Sequence, residues 1–273
     1  MNKSDIIKKN LTQIIAITEK NTKLRLRYKY GLIISFIIPI FTIIMPLIIL
    51  GRIFDYNEQF GPWNGANYLA FLFIAYNILL LKDMIKEIPG QLRHEKFWET
   101  LPSLIIAPFN RFNLLLGMFL SHIIVILIPF TIFFILCYFI YPISFLTLLF
   151  VIEIYFLIAI VFSGIGLILG IFAVSNENIL KLFIFSFDLI FWFSCVTYPF
   201  EIFPELIQQA INLNPLYYIF DLVRLGWIEN NFILTITSHP LHLLIIITCA
   251  IIIPCIGVYV FNMIYKKYGI VGY

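Results

Sequence analysis

Gly31–Leu50 and Phe112–Tyr141 each run for twenty residues or more without an Asp, Glu, Lys or Arg side chain. Such blocks match the ~20 helical residues that cross a ~30 Å hydrocarbon layer and exceed the ~9–11 of a transmembrane β-strand. Lipid offers a backbone amide no hydrogen-bond partner, so a crossing segment must satisfy its own, as a helix does. Composition agrees: 62% of the residues are apolar and 12% charged, against roughly 45–50% and ~25% in soluble domains. Too few charges remain to cover a water-soluble globule, which excludes a soluble enzyme, a disordered chain and a secreted disulfide scaffold. Cys137, Cys195, Cys249 and Cys255 all fall within apolar blocks. They read as small buried hydrophobes without metal-ligand spacing. A net charge of +3, with no basic cluster interleaved with aromatics, gives no footing for nucleic acid. The polar, basic N-terminal segment lacks the short apolar core of a signal peptide.

Six stretches qualify as spans: Gly31–Leu50, Asn67–Leu81, Phe112–Tyr141, Phe145–Ala173, Leu182–Tyr198 and Leu241–Tyr265. The second is short and borrows from the Lys82–Ile88 segment; the third and fourth form a tight hairpin across Pro142, Ile143 and Ser144. The fold expected is all-α, with a six-span membrane domain over 31–265, a basic N-terminal segment 1–30 and a tail 266–273. Sixteen of the 18 Lys and Arg residues fall on the side shared by both termini, against Arg52 and Arg224 opposite. By the positive-inside rule, both termini are cytoplasmic and the chain is a multi-pass protein of the cell membrane.

Three features stand out between the spans. Ser4 can cap a helix with Ile7, Leu11, Ile14 and Ile15 on one side and Lys9, Gln13 and Lys20 opposite, which suits the headgroup plane. The cytoplasmic loop 82–111 is broken at Pro89-Gly90, reads as a short charged helix over Gln91–Leu101, and continues through Pro102 and Pro108. On the outer side, segment 199–240 holds two short half-apolar helices separated by Asn214-Pro215, the pattern of a re-entrant or interfacial hairpin.

Signatures of catalysis are missing. No GxxxxGK[ST] loop occurs, and His94-Glu95 is followed by Trp98 where a zinc-protease motif needs its second histidine. His94, His122, His239 and His242 form no metal pattern. Gly166 and Gly170 make a GxxxG pair, for close helix packing within one subunit or for a subunit interface. Glu153 and Asp188 are carboxylates inside spans, where a charge costs at least about 2.5–3.5 kcal/mol. Each is either part of a proton or substrate pathway, or an acid hydrogen-bonded near a span end. Trp63, Trp98 and Trp227 suit interfacial anchoring; Trp192 suits it less.

Three stretches resemble the membrane subunit of ATP-binding-cassette exporters of the type 2 class. Lys23-Leu24-Arg25-Leu26-Arg27-Tyr28-Lys29, leading to Pro39 and Pro46, is similar to the amphipathic helix and first span of that family, especially of its polysaccharide-exporting branch. Glu95-Lys96-Phe97-Trp98-Glu99-Thr100-Leu101, followed by Pro108, Arg111 and Gly117, is similar to the family's acidic coupling-helix pattern. Glu99 stands where a Gly is usual, and Pro102 where a Glu is usual. Pro199-Phe200-Glu201-Ile202-Phe203-Pro204 and Asn212-Leu213-Asn214-Pro215-Leu216-Tyr217-Tyr218, closing on Asp221 and Arg224, resemble its outer hairpin.

The resemblance implies a permease that binds no cofactor itself, works with a separate ATPase subunit using ATP and Mg, and pairs with a second permease subunit, identical or different. It implies that Arg93, Glu95, Lys96 and Glu99 couple to the ATPase. It also places Pro199, Pro204, Asn214, Pro215, Asp221 and Arg224 in the outer hairpin. The substrate would be amphipathic: a lipid, a glycolipid or polysaccharide, or a hydrophobic drug. The competing reading is an ATPase-independent secondary transporter or channel in which Glu153 and Asp188 carry the coupling protons.

Overall fold

The structure, a computed structural model, describes residues 3–55, 59–99, 111–175 and 177–268. Among the described residues there is no strand; they are helical apart from turns, connecting residues and an isolated bridge between Phe60 and Trp63. Helix α1 covers Lys3–Arg27 and α2 Lys29–Asp55. They are followed by α3 (Tyr68–Lys82), α4 (Met84–Phe97), α5 (Arg111–Ile140) and α6 (Phe145–Ser175). The second half comprises α7 (Glu177–Trp192), α8 (Glu205–Asn212), α9 (Pro215–Glu229), α10 (Phe232–Ser238) and α11 (Pro240–Tyr268).

Among the described residues, five helical segments are long and apolar enough to cross a membrane: Lys29–Phe54, Tyr68–Phe97, Phe112–Ile140, Phe145–Ala173 and Pro240–Met263. The second is α3 and α4 taken together. The expected break at Pro89-Gly90 is absent: α4 runs through both residues, and the only interruption is Asp83, itself in right-handed helical geometry. Proline ordinarily disrupts a helix by removing an N–H and crowding the preceding turn. Here tertiary burial prevails, because Met84, Ile85, Ile88, Pro89 and Leu92 form one buried face against α6.

The expected span Leu182–Tyr198 differs more. Helix α7 begins at Glu177, ends at Trp192 and has 16 residues, about 24 Å at the helical rise. Its Phe191 meets Phe162, midway along α6. The backbone then turns over through Cys195, whose φ of 56° lies in the left-handed region.

Helix α6 is the centre of the fold, and its glycines explain why. A Cβ on Gly164 would fall 2.7 Å from the Pro254 nitrogen of α11, and one on Gly166 would fall 2.8 Å from the Met84 carbonyl of α4. One on Gly170 would lie 2.5 Å from Leu92. The small-residue stripe therefore admits two neighbouring helices of the same chain at close range.

One further expectation changes in part. Trp63 and Trp227 are buried in the core, whereas Trp98 and Trp192 are exposed, so of the three expected anchors only Trp98 is free to serve, in addition to Trp192. Helix α1 has two apolar faces. Ile7, Leu11 and Ile15 are exposed, but its other face climbs along α5, with Ile17 over Gly117 and Arg25 beside His122.

Candidate functional site

The strongest concentration of polar chemistry lies where α1, α4 and the start of α5 meet. Lys20 of α1 pairs with Glu95 of α4, and Arg25 lies 3.1 Å from Glu87. The Arg25 guanidinium also reaches Nδ1 of His122 at 2.6 Å. Asn113 donates to Asn10 (3.0 Å) and Gln13 (2.7 Å), and the Thr18 hydroxyl donates to the Gly117 carbonyl at 3.3 Å. Gly117 makes room for this: a Cβ there would stand 2.5 Å from Ile17. Helix α4 is thus joined to α1 by charge and to α6 by close packing, while α1 is joined to α5.

The four residues assigned to coupling separate within this cluster. Arg93, Lys96 and Glu99 are exposed, whereas Glu95 is 4% exposed and faces α1. The helical period explains it, since Ile85, Ile88, Leu92 and Glu95 share one stripe. Phe97 is 82% exposed and Trp98 is also uncovered, leaving two large apolar rings at the tip of α4. Glu99 has φ 57°, the left-handed geometry in which glycine normally ends a helix. Thr100, Leu101, Pro102 and Pro108 lie outside the described residues. Beside the tip, a cleft of ≈ 990 Å³ separates the α1–α2 junction from α4.

The carboxylates inside spans are not brought together. Asp188 is held by Lys82 at 2.8 Å and Lys86 at 3.6 Å, and Lys82 also lies over the Phe191 ring. Asp188 therefore ties α7 to the α3–α4 joint. Glu153 is exposed on the periphery of α6. Gly166 and Gly170 face α4, as described above.

At the opposite end, the carbonyls freed where α7 stops are taken up by α9. Asn214 donates to Ile190 (2.7 Å) and Phe193 (3.1 Å), while its carbonyl oxygen accepts from the Leu216 amide at 3.0 Å. Asn214 thus caps α9, with Pro215 in the first turn where a missing N–H costs nothing. Arg224 is buried and donates to the Cys195 and Val196 carbonyls at 2.6 and 2.7 Å. Pro199 and Pro204, both extended, precede a 3-10 turn over Phe200–Ile202 and helix α8. Asp221 lies 3.4 Å from His242, and Glu229 lies 3.0 Å from His239. Partial desolvation raises the pKa of Glu201, an exposed residue whose carboxylate lies against Gly61. At the top of α9, Trp227 donates to Tyr141, and the Ser144 amide donates to Asn230.

Nothing local in the sequence marks Glu87 or Asn113, and nothing local pairs Lys20 with Glu95 or Arg25 with Glu87, although Gly117 signals that something approaches α5 closely. Among the described residues no group of histidines, cysteines and carboxylates could hold a metal ion. The chemistry available is mechanical and recognitional: a braced helix with an exposed tip and a polar cleft at its side.

A family model described as ABC-2 type transporter matches residues 12–227. The match runs from α1 to near the end of α9 and so contains the braced cluster, the glycine stripe and the Arg224 and Asn214 contacts. No curated protein matches the chain.

Proposed function

The chain belongs to the ABC-2 type transporter family, and from that premise we propose that it is the permease subunit of an ATP-driven exporter for an amphipathic substrate. Members of the family are membrane components of transport that typically work with an ATP-binding subunit. The lack of a P-loop in the sequence fits this division of labour.

The observation that carries the proposal is the tip of α4. Phe97 and Trp98 are exposed there between Lys96 and Glu99, while the root of the same helix is buried against α6. Such a tip suits docking into a groove of a nucleotide-binding subunit, and the braces at Glu95 and Glu87 suit transmission of its movement. In this reading α7 completes a six-span crossing, both termini are cytoplasmic in the plasma membrane, and α8 and α9 form the outer hairpin. Two permease subunits, identical or different, enclose the pathway.

In vesicles containing the partner ATPase, Glu95→Ala is expected to leave ATP hydrolysis running while substrate export falls. Unchanged export would remove Glu95 from the coupling path. Export that continues without any ATPase subunit would overturn the reading as a whole.

A further inference from the structure

We infer that the cleft between the α1–α2 junction and α4 is a binding site for the phosphate-bearing headgroup of an anionic lipid. Four basic side chains line it, Arg25, Lys86, Arg93 and Lys96, against the single carboxylate of Glu87. Arg25 is engaged by Glu87 and Lys86 lies 3.6 Å from Asp188 outside the cleft lining, but Arg93 makes no ion pair among the described residues. The imbalance selects a negatively charged occupant, since each Lys or Arg near a membrane surface contributes about 1 kcal/mol of attraction to anionic lipid.

A second observation is independent of charge. Gln91 lines the same cleft at 8% exposure, and both the oxygen and the nitrogen of its carboxamide lack a hydrogen-bond partner among the described residues. A buried amide left unpaired costs roughly 1–3 kcal/mol. Both atoms are covered in the structure, and a phosphate or glycerol oxygen entering the cleft would supply the missing acceptor or donor once the carboxamide turns towards it.

The geometry also provides for a lipid's apolar part. Leu24 and Leu32 form an apolar wall. Beyond it, Ile34, Ile38 and Phe41 continue as an exposed stripe along α2, a track on which an acyl chain can lie. Tyr28 and Trp98, both exposed at the rim, are the amphipathic aromatics favoured at the headgroup level. The space is open: nothing lies within 4 Å of a Cβ built on Gly31 or on Gly90, one on each wall. A cleft of ≈ 990 Å³ is at the upper end of the ~300–1,000 Å³ of small-molecule sites.

This goes beyond the export reading, and its test needs no ATPase. The purified full chain in neutral detergent is titrated with short-chain phosphatidylglycerol, phosphatidylcholine or inorganic phosphate, and bound species are counted by native mass spectrometry. Phosphatidylglycerol is expected to bind at least about tenfold more tightly than phosphatidylcholine, with Arg93→Gln/Lys96→Gln removing about tenfold or more of that affinity. Gly90→Leu places a side chain in the open space and is expected to abolish binding while the melting temperature holds or rises. Equal binding of the two lipids, or full binding by the Gly90→Leu variant, would overturn the site. Displacement of phosphatidylglycerol by inorganic phosphate at equal concentration would assign the cleft to a soluble anion and overturn the lipid source.

Discussion

Arg224 Nη2 donates to the Cys195 carbonyl at 2.6 Å, joining the middle of α9 to the point where α7 ends. The same nitrogen reaches the Val196 carbonyl at 2.7 Å, and the guanidinium lies 4.1 Å from the centre of the Phe71 ring. A helix end leaves carbonyls without partners, and here a buried planar cation serves two of them at once. Removing it strands both. Arg224→Ala is expected to cost about 3 kcal/mol or more, from two charge-assisted bonds and the carbonyls left unpaired. Arg224→Lys recovers only part, because an ammonium lacks the planar fork and the stacking face. Thermal unfolding in detergent orders the three as wild type, Lys, Ala; an unchanged Ala variant would remove Arg224 from the structural framework.

Glu99 ends α4 with φ 57°, and its amide hydrogen-bonds the Lys96 carbonyl at 3.1 Å. A side chain in this geometry brings Cβ against a carbonyl oxygen and costs about 1–2 kcal/mol, which glycine escapes. Glu99→Gly is therefore expected to raise stability by about 1 kcal/mol. A lower melting temperature would mean that the Glu99 carboxylate makes a contact worth more than the strain. The family resemblance makes the same point from another side, since glycine is usual at this position.

The long apolar blocks display the membrane class and most of the spans because each helix satisfies its own backbone. The glycine stripe of α6 is equally visible as a place of close approach. The α3–α4 joint is harder. Lys82, Asp83, Lys86 and Glu87, followed by Pro89-Gly90, look locally like a solvated loop, and their helical continuation depends on distant partners: Asp188 on α7 and Arg25 on α1. The end of α7 likewise depends on Asn214 and Arg224, 24 and 29 residues downstream of the carbonyls they reach. Local composition carries no trace of either. Glu95 is an intermediate case: its inward orientation follows from the spacing of Ile85, Ile88 and Leu92, but its partner Lys20 does not.

Glu201 connects pH to the fold near Gly61. Burial is the main cause of its raised pKa, with the charge of Asp221 adding to it. A carboxyl with a folded value above its unfolded value of about 4.3 is easier to bury protonated. Its contribution is fully present below the unfolded value and is lost as pH rises through the folded one. Wild-type melting temperature is therefore expected to fall as pH rises from about 4.3 through the raised folded value, measured against Glu201→Gln. The Gln variant should show a flatter profile over the same range. Parallel profiles for the two proteins would place the pH dependence elsewhere.

Lys20 and Glu95 permit a cleaner separation of stability from coupling. The Glu95 side chain is 6% exposed and that of Lys20 47% exposed, so the pair combines a desolvated acceptor with a half-solvated donor. Glu95→Lys places an ammonium opposite an ammonium at a buried position, and Lys20→Glu opposes two carboxylates. Each single reversal is expected to lower stability by about 1–3 kcal/mol, the range for a hydrogen bond to a charged group. The double reversal restores attraction with the burial exchanged, and should recover more than half of the loss. If α1 only supports the fold, export in vesicles with the partner ATPase will follow stability across all three variants. If the pair transmits movement from the tip of α4, each single reversal will hydrolyse ATP without export at temperatures where it remains folded, and the double will regain export. A double variant that is folded, hydrolyses ATP and still fails to export would show that the identity of the two charges, and not their attraction alone, matters to the movement.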